Sequence, residues 1–505
     1  MLFHSFPFLL AFLPATVLVA YALNRMGQRP LVLSWLVLSS LFFYGWWNPA
    51  YLPLLVLSVV GNYAAGRSIL GLRAQSRTGA ARTVVALAVA ADLASIGYFK
   101  YAGFFDAIWQ DLGGSGLGLG GILLPLGISF FTFQQIAYVV DCGRGRVERH
   151  SFREYALFVT FFPQLIAGPI VYHGHVLPQF HATDAFRLRL GDVAIGLEIF
   201  CLGLIKKSVI ADGMALYATP VFDAAAAGEP LTVLEAWGGA LAYTFQLYFD
   251  FSGYSDMAIG LARMFGIRLP LNFDSPYKAR SIVDFWRRWH MTLSAFLRDY
   301  LYIPLGGNRH GRVRRYGNLL ITMLLGGLWH GAAWTFVFWG LLHGLLLVLN
   351  HAWQRTGLRL PVPLAWAVTF LSVVVAWVFF RAESFDAALT MLAAMAGEHG
   401  LVLPERYAER LGWTGLAFGP TPWFEGSRQA GLLLLTLAWV VFAPNTQEWV
   451  ARKHGAAIGF GQPRAAPRYR LAAGNIGALC FGAVVGYALI RLTIGGYSEF
   501  LYFQF

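Results

Sequence analysis

Long apolar runs alternate with short polar or basic loops along most of this chain. A helix needs about 20 apolar residues to cross a bilayer, so the shorter runs predict tilted, broken or incomplete spans. The pattern predicts an all-α polytopic membrane protein with about 10–12 transmembrane or re-entrant helices. The apolar runs lie near 6–24, 31–47, 51–66, 83–105, 121–140, 155–172, 191–211, 231–262, 317–350, 364–381, 431–443 and 471–490.

The composition supports a membrane protein. Of 505 residues, 57% are hydrophobic and only 13% are charged, whereas soluble domains carry about 25% charged residues. The net charge of +12 comes from loops between apolar runs, which is the positive-inside distribution and argues against nucleic-acid binding. Cys142, Cys201 and Cys480 lie far apart and indicate neither a disulfide framework nor a zinc site.

The basic loops also predict a topology. Arg25 and Arg29 follow the first run, which we expect to be retained as a span, and they favour an external N-terminus. The loops Arg67–Arg82 and Arg144–Arg153 then fall inside. Two prolines in Phe161–Ile170 predict a broken or re-entrant helix, and Glu383–Arg428 is predicted to be an extramembrane segment.

The segment from Ser281 to His330 carries the first candidate chemistry. Ser281 with Asp284 predicts a helix start, and Pro304 before two glycines predicts its end, which gives one helix of about five turns. At 100° per residue, His290 lies at the edge of an apolar arc rather than among the charges. The apolar arc comprises Phe285, Trp286, Trp289, His290, Leu293, Phe296, Leu297 and Tyr300.

His330 lies in the uncharged stretch Asn318–Leu349. Basic loops flank residues 317–350 at both ends (Arg309–Arg315 and Arg355–Arg359), which predicts a re-entrant hairpin or a bent helix. If the stretch is helical, Gly326 and Gly327 lie on the side of His330 and leave room for a ligand, while Trp334 forms a wall one turn later. An ionisable residue at membrane depth is a functional candidate. The alternative is a packed histidine bonded to a backbone carbonyl. His343 lies about 220° from His330 on a straight helix, so we expect the two not to act together.

Other polar residues have a structural alternative as well. Asp250, Ser252, Tyr254 and Asp256 lie in an apolar run and either line a pocket or bond between helices. Four basic residues either attract donor phosphates or contact lipid head groups; they are Lys206, Lys207, Arg287 and Arg288. The histidines His173, His175 and His181 have no carboxylate or cysteine nearby in sequence, so no metal site is predicted.

The chain resembles the membrane-bound O-acyltransferase (MBOAT) family, specifically its bacterial alginate O-acetylation branch. The matching motifs extend from about residue 98 to residue 505. They are P-L-G-I-S-F-F-T-F-Q (Pro125–Gln134), F-F-P-Q-L-I-A-G-P-I, I-K-K-S-V-I-A-D (Ile205–Asp212), Q-L-Y-F-D-F-S-G-Y-S-D-M-A-I-G-L (Gln246–Leu261), F-W-R-R-W-H through L-G-G-N-R, L-G-G-L-W-H-G and the terminal F-L-Y-F-Q-F.

The resemblance implies a single MBOAT domain over 1–505 with its helices around a central pocket or tunnel. Its core motifs would lie at about 120–350 and an aromatic tail at 498–505. It also implies that acetyl-CoA or another thioester donates an acetyl group on the cytoplasmic side of the bacterial inner membrane. The acetyl group would cross the membrane, and a periplasmic esterase-like (SGNH-type) partner would place it on an alginate-like polysaccharide. Alternatives are transfer of another acyl group such as D-alanyl, or a non-enzymatic transporter.

The resemblance also assigns roles to residues. His330 corresponds to the family's near-invariant histidine and is expected to be the general base. His290 corresponds to the family's second histidine. Tyr502 in the C-terminal aromatic motif is the expected acyl relay, against the simpler reading of an interfacial anchor. The residues expected to bind substrate or donor are Asp250, Ser252, Tyr254, Asp256, Trp289, Gly326, Gly327, Trp329, Trp334, Arg287 and Arg288.

Overall fold

The computed structural model describes residues 1–182, 185–455, 459–460, 475–495, 498 and 500–501. The α-helices of this described part dominate the fold, as the apolar pattern predicts. They are α1 (Leu13–Arg25), α2 (Arg29–Gly45), α3 (Leu52–Ala74), α4 (Thr78–Ile96), α5 (Ala102–Asp111), α6 (Ile128–Arg144), α7 (Phe152–Thr160), α8 (Phe162–Leu165), α9 (His173–His181), α10 (Leu190–Ile205), α11 (Asp212–Ala226), α12 (Val233–Met264), α13 (Ile282–Arg288), α14 (Met291–Leu297), α15 (Gly311–His330), α16 (Trp334–Trp353), α17 (Val362–Arg381), α18 (Phe385–Ala396), α19 (Ala408–Leu411), α20 (Ser427–Phe442), α21 (Thr446–His454) and α22 (Asn475–Gly495).

Two short strands and several tighter or wider helical turns complete the described secondary structure. β1 (Val402–Pro404) pairs in parallel with β2 (Ala417–Gly419) inside the predicted extramembrane segment. The π-helical turns are Pro7–Phe12, Gly97–Tyr101, Lys206–Ala211 and Arg298–Tyr302. The 3₁₀ turns are Pro49–Tyr51, Leu119–Gly121, Pro276–Lys278, Gln354–Thr356, Glu405–Tyr407 and Gly412–Thr414.

The chain forms two compact units, each built from separate stretches of sequence. Unit 1 comprises Met1–Leu204, Tyr254–Leu271 and Thr446–Gln504, and unit 2 comprises chiefly Ile205–Gly253 and Asn272–Asn445. Helix α12 therefore contributes its first part to unit 2 and its last part to unit 1. The single membrane domain over 1–505 stays a prediction.

Five described helical segments are long and apolar enough to cross a membrane, or up to six if a bent pair counts as one span. Most of the remaining apolar runs form shorter or interrupted helices, whereas the run at 231–262 forms the continuous 32-residue helix α12. The five segments are Pro7–Arg25, Pro49–Ala74, Thr78–Asp111, Trp334–Thr356 and Val362–Arg381, and the bent pair is α20 with α21.

The proline-containing segment after α7 is broken, as predicted. Helix α7 ends at Thr160, the four-residue α8 follows, and Ile166–Tyr172 is irregular before α9 begins at His173. Nearly all of this segment is buried, and irregular backbone at membrane depth is tolerated only when protein or an aqueous cavity covers it.

The prediction of one five-turn helix after Ser281 is wrong. Ser281 does cap α13, since its hydroxyl accepts from Asp284 N at 3.1 Å, but α13 ends at Arg288. Trp289 is extended, and His290 adopts a left-handed φ of +42° before α14 begins. Backbone bonding to Asn272 replaces the helical ladder here, because Met291 N donates to Asn272 O at 2.9 Å. The predicted apolar arc is nevertheless buried except for the half-buried Tyr300.

His330 lies in a helical hairpin; its re-entrant character stays a prediction, and two other expectations are corrected. Helix α15 ends at His330 and α16 begins at Trp334, so Trp334 is not one turn along the same helix and is 56% exposed. The two glycines also do not leave a ligand gap. A Cβ on Gly327 would collide with Phe336 O and come within 3.0 Å of Gly340, and one on Gly326 would lie 3.1 Å from Leu297. These glycines permit close helix packing instead.

Candidate active site

His330 ends α15 inside a shell of aromatic side chains and is only 3% exposed. Its ring centroid lies 4.9 Å from that of Trp329, 5.1 Å from Trp339 and 5.2 Å from Phe380. Trp339 comes from α16 and Phe380 from α17, so three consecutive long helices form the shell. A passage from this ring to either side of the membrane stays a prediction.

His290 is fully buried and is held by Asn272. Asn272 Oδ1 accepts from the Thr292 hydroxyl at 2.9 Å and from Thr292 N at 3.4 Å. Because this amide atom is an acceptor, His290 Nδ1, 3.0 Å away, must be the donor. The network therefore assigns the proton to Nδ1 and the lone pair to Nε2 of His290.

Burial lowers the pKa of His290 from its ordinary 6.5 to about 3, because the charged form loses its hydration. The ring is therefore neutral near pH 7 and suited to accepting a hydrogen bond. The ring of Phe251 lies edge-on at 4.8 Å and completes this apolar surrounding.

The structure brings the two predicted catalytic histidines together. Their ring centroids are 6.4 Å apart, and Trp329 lies beside both, at 6.0 Å from His290. Two imidazoles in an aromatic, water-poor shell can relay or abstract a proton, which is what transfer of an acyl group to a hydroxyl requires. Their separate roles stay predictions.

His343 belongs to the same aromatic shell, although the sequence analysis set it apart from His330. It is fully buried, accepts from Trp286 Nε1 at 3.2 Å and lies 4.7 Å from the Trp339 ring that also contacts His330. The 220° between His330 and His343 applies only to one straight helix. Because the turn at 331–333 folds α16 back on α15, that angle does not separate the two rings.

Asp250 takes part in a buried ion cluster that the sequence analysis missed. Lys207 Nζ lies 2.7 Å from Asp250 Oδ1 and 2.9 Å from Asp212 Oδ1. Lys207 and Asp250 are both buried. Lys207 is thus paired with two carboxylates and is not placed to attract donor phosphates, which corrects that expectation. The sequence does not predict the contact between Lys207 and Asp212, because residues five positions apart point in different directions on a regular α-helix.

The three neighbouring candidates on α12 differ in their surroundings. Ser252 is buried in unit 2. In unit 1, Asp256 accepts from the Thr446 hydroxyl at 2.6 Å, and the Tyr254 ring lies between those of Phe3 and Phe500. Asp256 therefore bonds between helices, which is one of the two predicted alternatives; the other is lining a pocket. Their part in substrate binding stays a prediction.

The other candidates beside His290 and His330 also have defined positions. Arg287 is exposed, whereas Arg288 pairs with Asp284 at 2.8 Å. Trp289 and Trp329 are buried, and Trp289 stacks on Phe285. Tyr502 lies outside the described residues. Phe500, two residues earlier, packs against Tyr254 at 4.2 Å.

The histidines near α9 lie in unit 1 and have separate partners. His181 Nε2 lies 3.0 Å from Glu154 Oε1, and His173 Nδ1 lies 4.0 Å from Asp141 Oδ2. The ring of His175 packs on Phe460 at 4.7 Å. Within the described ranges, no three metal-ligating side chains form a group.

Known proteins match this chain over a region that contains both histidines. The model of the membrane-bound O-acyltransferase family matches residues 128–382, a range that contains both rings. The chain is 45% identical to the peptidoglycan O-acetyltransferase of Helicobacter pylori over 80% of this chain and 81% of the other. It is 41% identical to the probable alginate O-acetylase AlgI of Pseudomonas aeruginosa over the full length of both. It is 31% identical to the teichoic acid D-alanyltransferase of Streptococcus thermophilus over 46% of this chain and 57% of the other.

Proposed function

The chain belongs to the membrane-bound O-acyltransferase family and is a membrane O-acyltransferase, and from this premise we propose that it delivers acetyl groups to a bacterial envelope polysaccharide. Two relatives that align over four-fifths or more of this chain are named for O-acetylation of peptidoglycan or alginate. An alginate-like or peptidoglycan acceptor is therefore the proposed substrate class, and the bacterial inner membrane is the proposed location.

The proposed reaction needs one base and a hydroxyl. An imidazole nitrogen of His330 takes the hydroxyl proton while the oxygen attacks the thioester carbonyl of the donor. The tetrahedral intermediate then collapses, the carbon–sulfur bond breaks, and the leaving thiolate takes the proton back from His330. The neutral His290 would accept a hydrogen bond through Nε2 and orient the reacting hydroxyl. Ester and free thiol are the products, and the enzyme is unchanged.

The proposed route crosses the membrane. Acetyl-CoA, or another acyl thioester, would enter from the cytoplasm as a co-substrate. Tyr502 would accept the acetyl group first and carry it outward, and a periplasmic SGNH-type partner would complete the transfer. We propose these three steps on the resemblance of the C-terminal motif and of the histidine segments to the family.

The observation that carries the proposal is the pair of buried imidazoles 6.4 Å apart inside a matched acyltransferase region. The test is the acetate released by mild alkali from surface polysaccharide of cells that carry His330→Ala or His330→Gln. We expect a loss of about 100-fold or more, the usual contribution of a general base.

A matched control uses His399→Ala, since this histidine is exposed and distant in sequence. Membrane fractions must contain equal amounts of each variant. Unchanged acetylation by a His330 variant present at wild-type level would refute the assignment of His330 as base. Solute transport that survives loss of both histidines would instead favour the transporter alternative.

Transfer of D-alanyl groups is the second candidate, supported by the match to a D-alanyltransferase over 46% of the chain. Mass spectrometry of the C-terminal peptide during turnover separates the cargoes, because acetyl and D-alanyl esters of Tyr502 differ in mass. An unmodified peptide throughout turnover would count against the relay.

A further inference from the structure

An open cleft of about 620 Å³ lies in unit 2, within the predicted extramembrane segment and separate in sequence from both candidate catalytic histidines. It forms where the 3₁₀ turn Glu405–Tyr407 and α19 meet the first turn of α20. Its volume falls within the range of pockets that hold small ligands. The charged and aromatic residues of its lining are Arg406, Tyr407, Glu409, Arg410, Glu425 and Arg428.

The cleft collects the positive charge of a segment that is acidic overall. Residues 383–428 contain six carboxylate side chains, three arginines and no lysine. All three arginines line this one cleft, together with only two of the six carboxylates, those of Glu409 and Glu425. With three positive and two negative side chains, the lining has a net charge of +1, whereas the segment as a whole has more carboxylates than arginines.

The two carboxylates do not neutralise the arginines by pairing with them. Within the residues that the structure describes, no ion pair joins Arg406, Arg410 or Arg428 to a carboxylate. Arg406 donates to the backbone carbonyl of Glu425, and its guanidinium lies 5.3 Å from the centre of the Tyr407 ring. Arg410 and Arg428 are exposed, and no described residue accepts a hydrogen bond from either side chain. Their N–H donors are therefore available to an anionic ligand, and the planar fork of a guanidinium matches the two oxygens of a carboxylate.

A tight turn at Gly426 holds the two sides of the cleft together. Ser427 N donates to the Tyr407 hydroxyl at 2.8 Å and so connects the start of α20 to the 3₁₀ turn. Gly426 has a φ of +77°, and a Cβ at this position would collide with the side chains of Arg406 and Tyr407. The close approach therefore requires a glycine, and it keeps Arg406 and the first turn of α20 in a fixed arrangement.

The charge distribution around α20 and α21 predicts the side of the membrane on which the cleft lies. Taken together, these two helices are long and apolar enough for one span. Residues 452–470, from the end of α21 onward, contain five lysines and arginines and no acidic residue. The positive-inside rule assigns that end to the cytoplasm, so the cleft at the start of α20 is predicted to face outward.

We propose that this cleft binds a saccharide that carries carboxylate groups. The arginine forks pair with the carboxylates of the ligand, while Glu409 and Glu425 accept hydrogen bonds from sugar hydroxyls. A phosphodiester has no hydroxyl to donate and is repelled by both carboxylates of the lining, so the residues favour the saccharide over a phospholipid head group. The choice of ligand rests on the proposed function, in which an alginate-like polysaccharide receives the acetyl group. Binding here would keep that acceptor chain beside the membrane enzyme.

The test measures binding of an oligomannuronate to the full-length protein in phosphatidylcholine nanodiscs by calorimetry. The variant is Arg410→Gln/Arg428→Gln, which removes the two unpaired charges and keeps side chains that form hydrogen bonds. The matched control is Arg312→Gln/Arg314→Gln, which removes the same charge from exposed positions elsewhere in unit 2. A cello-oligosaccharide of equal length, which is neutral, shows whether the carboxylates are recognised.

We expect oligomannuronate to bind wild type and control equally and the double variant about 10-fold more weakly, because exposed ion pairs are screened by water and each contributes modestly. The difference should shrink as the salt concentration is raised. The neutral oligosaccharide should bind all three proteins far more weakly. Equal affinity of wild type and double variant for oligomannuronate, or equal affinity of wild type for the two oligosaccharides, would overturn the proposal.

A phospholipid site is the competing outcome of the same comparison. Phosphatidylglycerol in the nanodiscs would then raise the unfolding temperature of wild type and control but not that of the double variant, and oligomannuronate would bind none of them. That result would also overturn the saccharide proposal. Equal unfolding temperatures of all three proteins in phosphatidylcholine alone establish that the double variant is folded.

The proposed function is judged separately by the acetate assay with His330 variants. Oligomannuronate binding that depends on the arginines, together with normal acetylation by the His330 variants, would support the cleft as a site and refute His330 as the base. Loss of acetylation in the His330 variants, with no oligomannuronate binding to wild type, would refute the cleft as a site and leave the function standing.

Discussion

At the residue scale, the two buried histidines are positioned by different means. His290 is fixed by a left-handed backbone turn and by a hydrogen bond to Asn272, which selects its tautomer. His330 is enclosed by aromatic rings from its own and two further helices. The first arrangement fixes the position of a lone pair, whereas the second surrounds an imidazole with apolar groups that exclude water.

Asn272→Ala should lower kcat by about 10–100-fold with little change in KM, since Asn272 orients His290, which we propose to take part in the reaction. Asn272→Asp keeps an acceptor oxygen for His290 Nδ1 and should retain more activity than the alanine variant. Steady-state kinetics on both variants check this. Equal losses in the two, or a change in KM alone, would contradict the positioning role.

Stability should fall as the pH drops below the ordinary pKa of histidine. Unfolded chain protonates His290 below pH 6.5, whereas the folded protein resists protonation until about pH 3. The free energy of unfolding therefore falls by about 1.4 kcal/mol for each pH unit below 6.5 down to about pH 3, and the contribution of His290 is complete above pH 6.5. Thermal unfolding in detergent from about pH 7 to about pH 5 measures the slope. His290→Asn, which tolerates the left-handed backbone, should reduce the slope.

Lys207→Met should destabilise the protein by about 3–5 kcal/mol, because it leaves the buried Asp250 carboxylate without its cation. Adding Asp250→Leu to the same chain should recover much of that loss. Denaturant unfolding compares the two variants with Lys206→Met, a change at the adjacent half-buried lysine. A stable single variant with reduced donor affinity would show that Lys207 binds the donor after all.

At the element scale, the α15–α16 hairpin determines where His330 lies. Gly327 and Gly340 face each other where the helices approach most closely, and a Cβ on either would collide with the opposite backbone. The sequence predicts that Gly326 and Gly327 leave room for a ligand, whereas in the structure they allow a close helix crossing. Glycine spacing alone does not distinguish a ligand cavity from a helix crossing, because both need the same missing side chain.

Gly327→Ala should separate the two helices, cost about 1–3 kcal/mol and reduce acetylation, since overpacking would displace His330 from its aromatic shell. Gly317→Ala lies on the same helix where a Cβ meets nothing within 4 Å, and it should be neutral. Thermal stability and the acetate assay measure both. Equal behaviour of the two variants would contradict the packing role.

Hydrophobic periodicity predicted which residues of α13 and α14 are buried but missed the break between them. Capping at Ser281 and the apolar arc are local features of the sequence, so both were predictable. The left-handed turn at His290 depends on bonds to Asn272, eighteen residues earlier, and no local pattern encodes that contact. The tautomer of His290 could not be inferred from the sequence for the same reason.

At the scale of the whole molecule, the basic loops predict a topology that contacts within unit 1 support. Arg29, which begins α2, and Glu154, just after the basic loop Arg144–Arg153, lie on the side assigned to the cytoplasm, and both contact the end of α9 and the residues just after it. The apolar runs and the family resemblance could be predicted from the sequence. The division into two interleaved units could not, because it depends on contacts between stretches that are far apart in the chain.

Cysteine labelling should locate these loops. In a background without the three native cysteines, Ala182→Cys should react with an impermeant maleimide only after the inner membrane is permeabilised. Glu409→Cys lies in the predicted extramembrane segment, and we expect it to react in cells whose inner membrane is intact. Both positions are exposed. Labelling of Ala182→Cys before permeabilisation would reverse the predicted orientation.

The wide helical turn at Lys206–Ala211 has a consequence for comparing this chain with its relatives. Asp212 N bonds to Lys207 O across five residues, and the same step brings the two side chains into contact. In an ordinary α-helix, positions five apart diverge by about 140°. Deleting one residue between Lys207 and Asp212 would restore regular winding and leave the two residues four positions apart, where α-helical side chains are still neighbours. A relative with a one-residue gap at this point in an alignment can therefore keep the ion pair on a regular helix, whereas a relative with both charged residues and no gap needs the same wide turn.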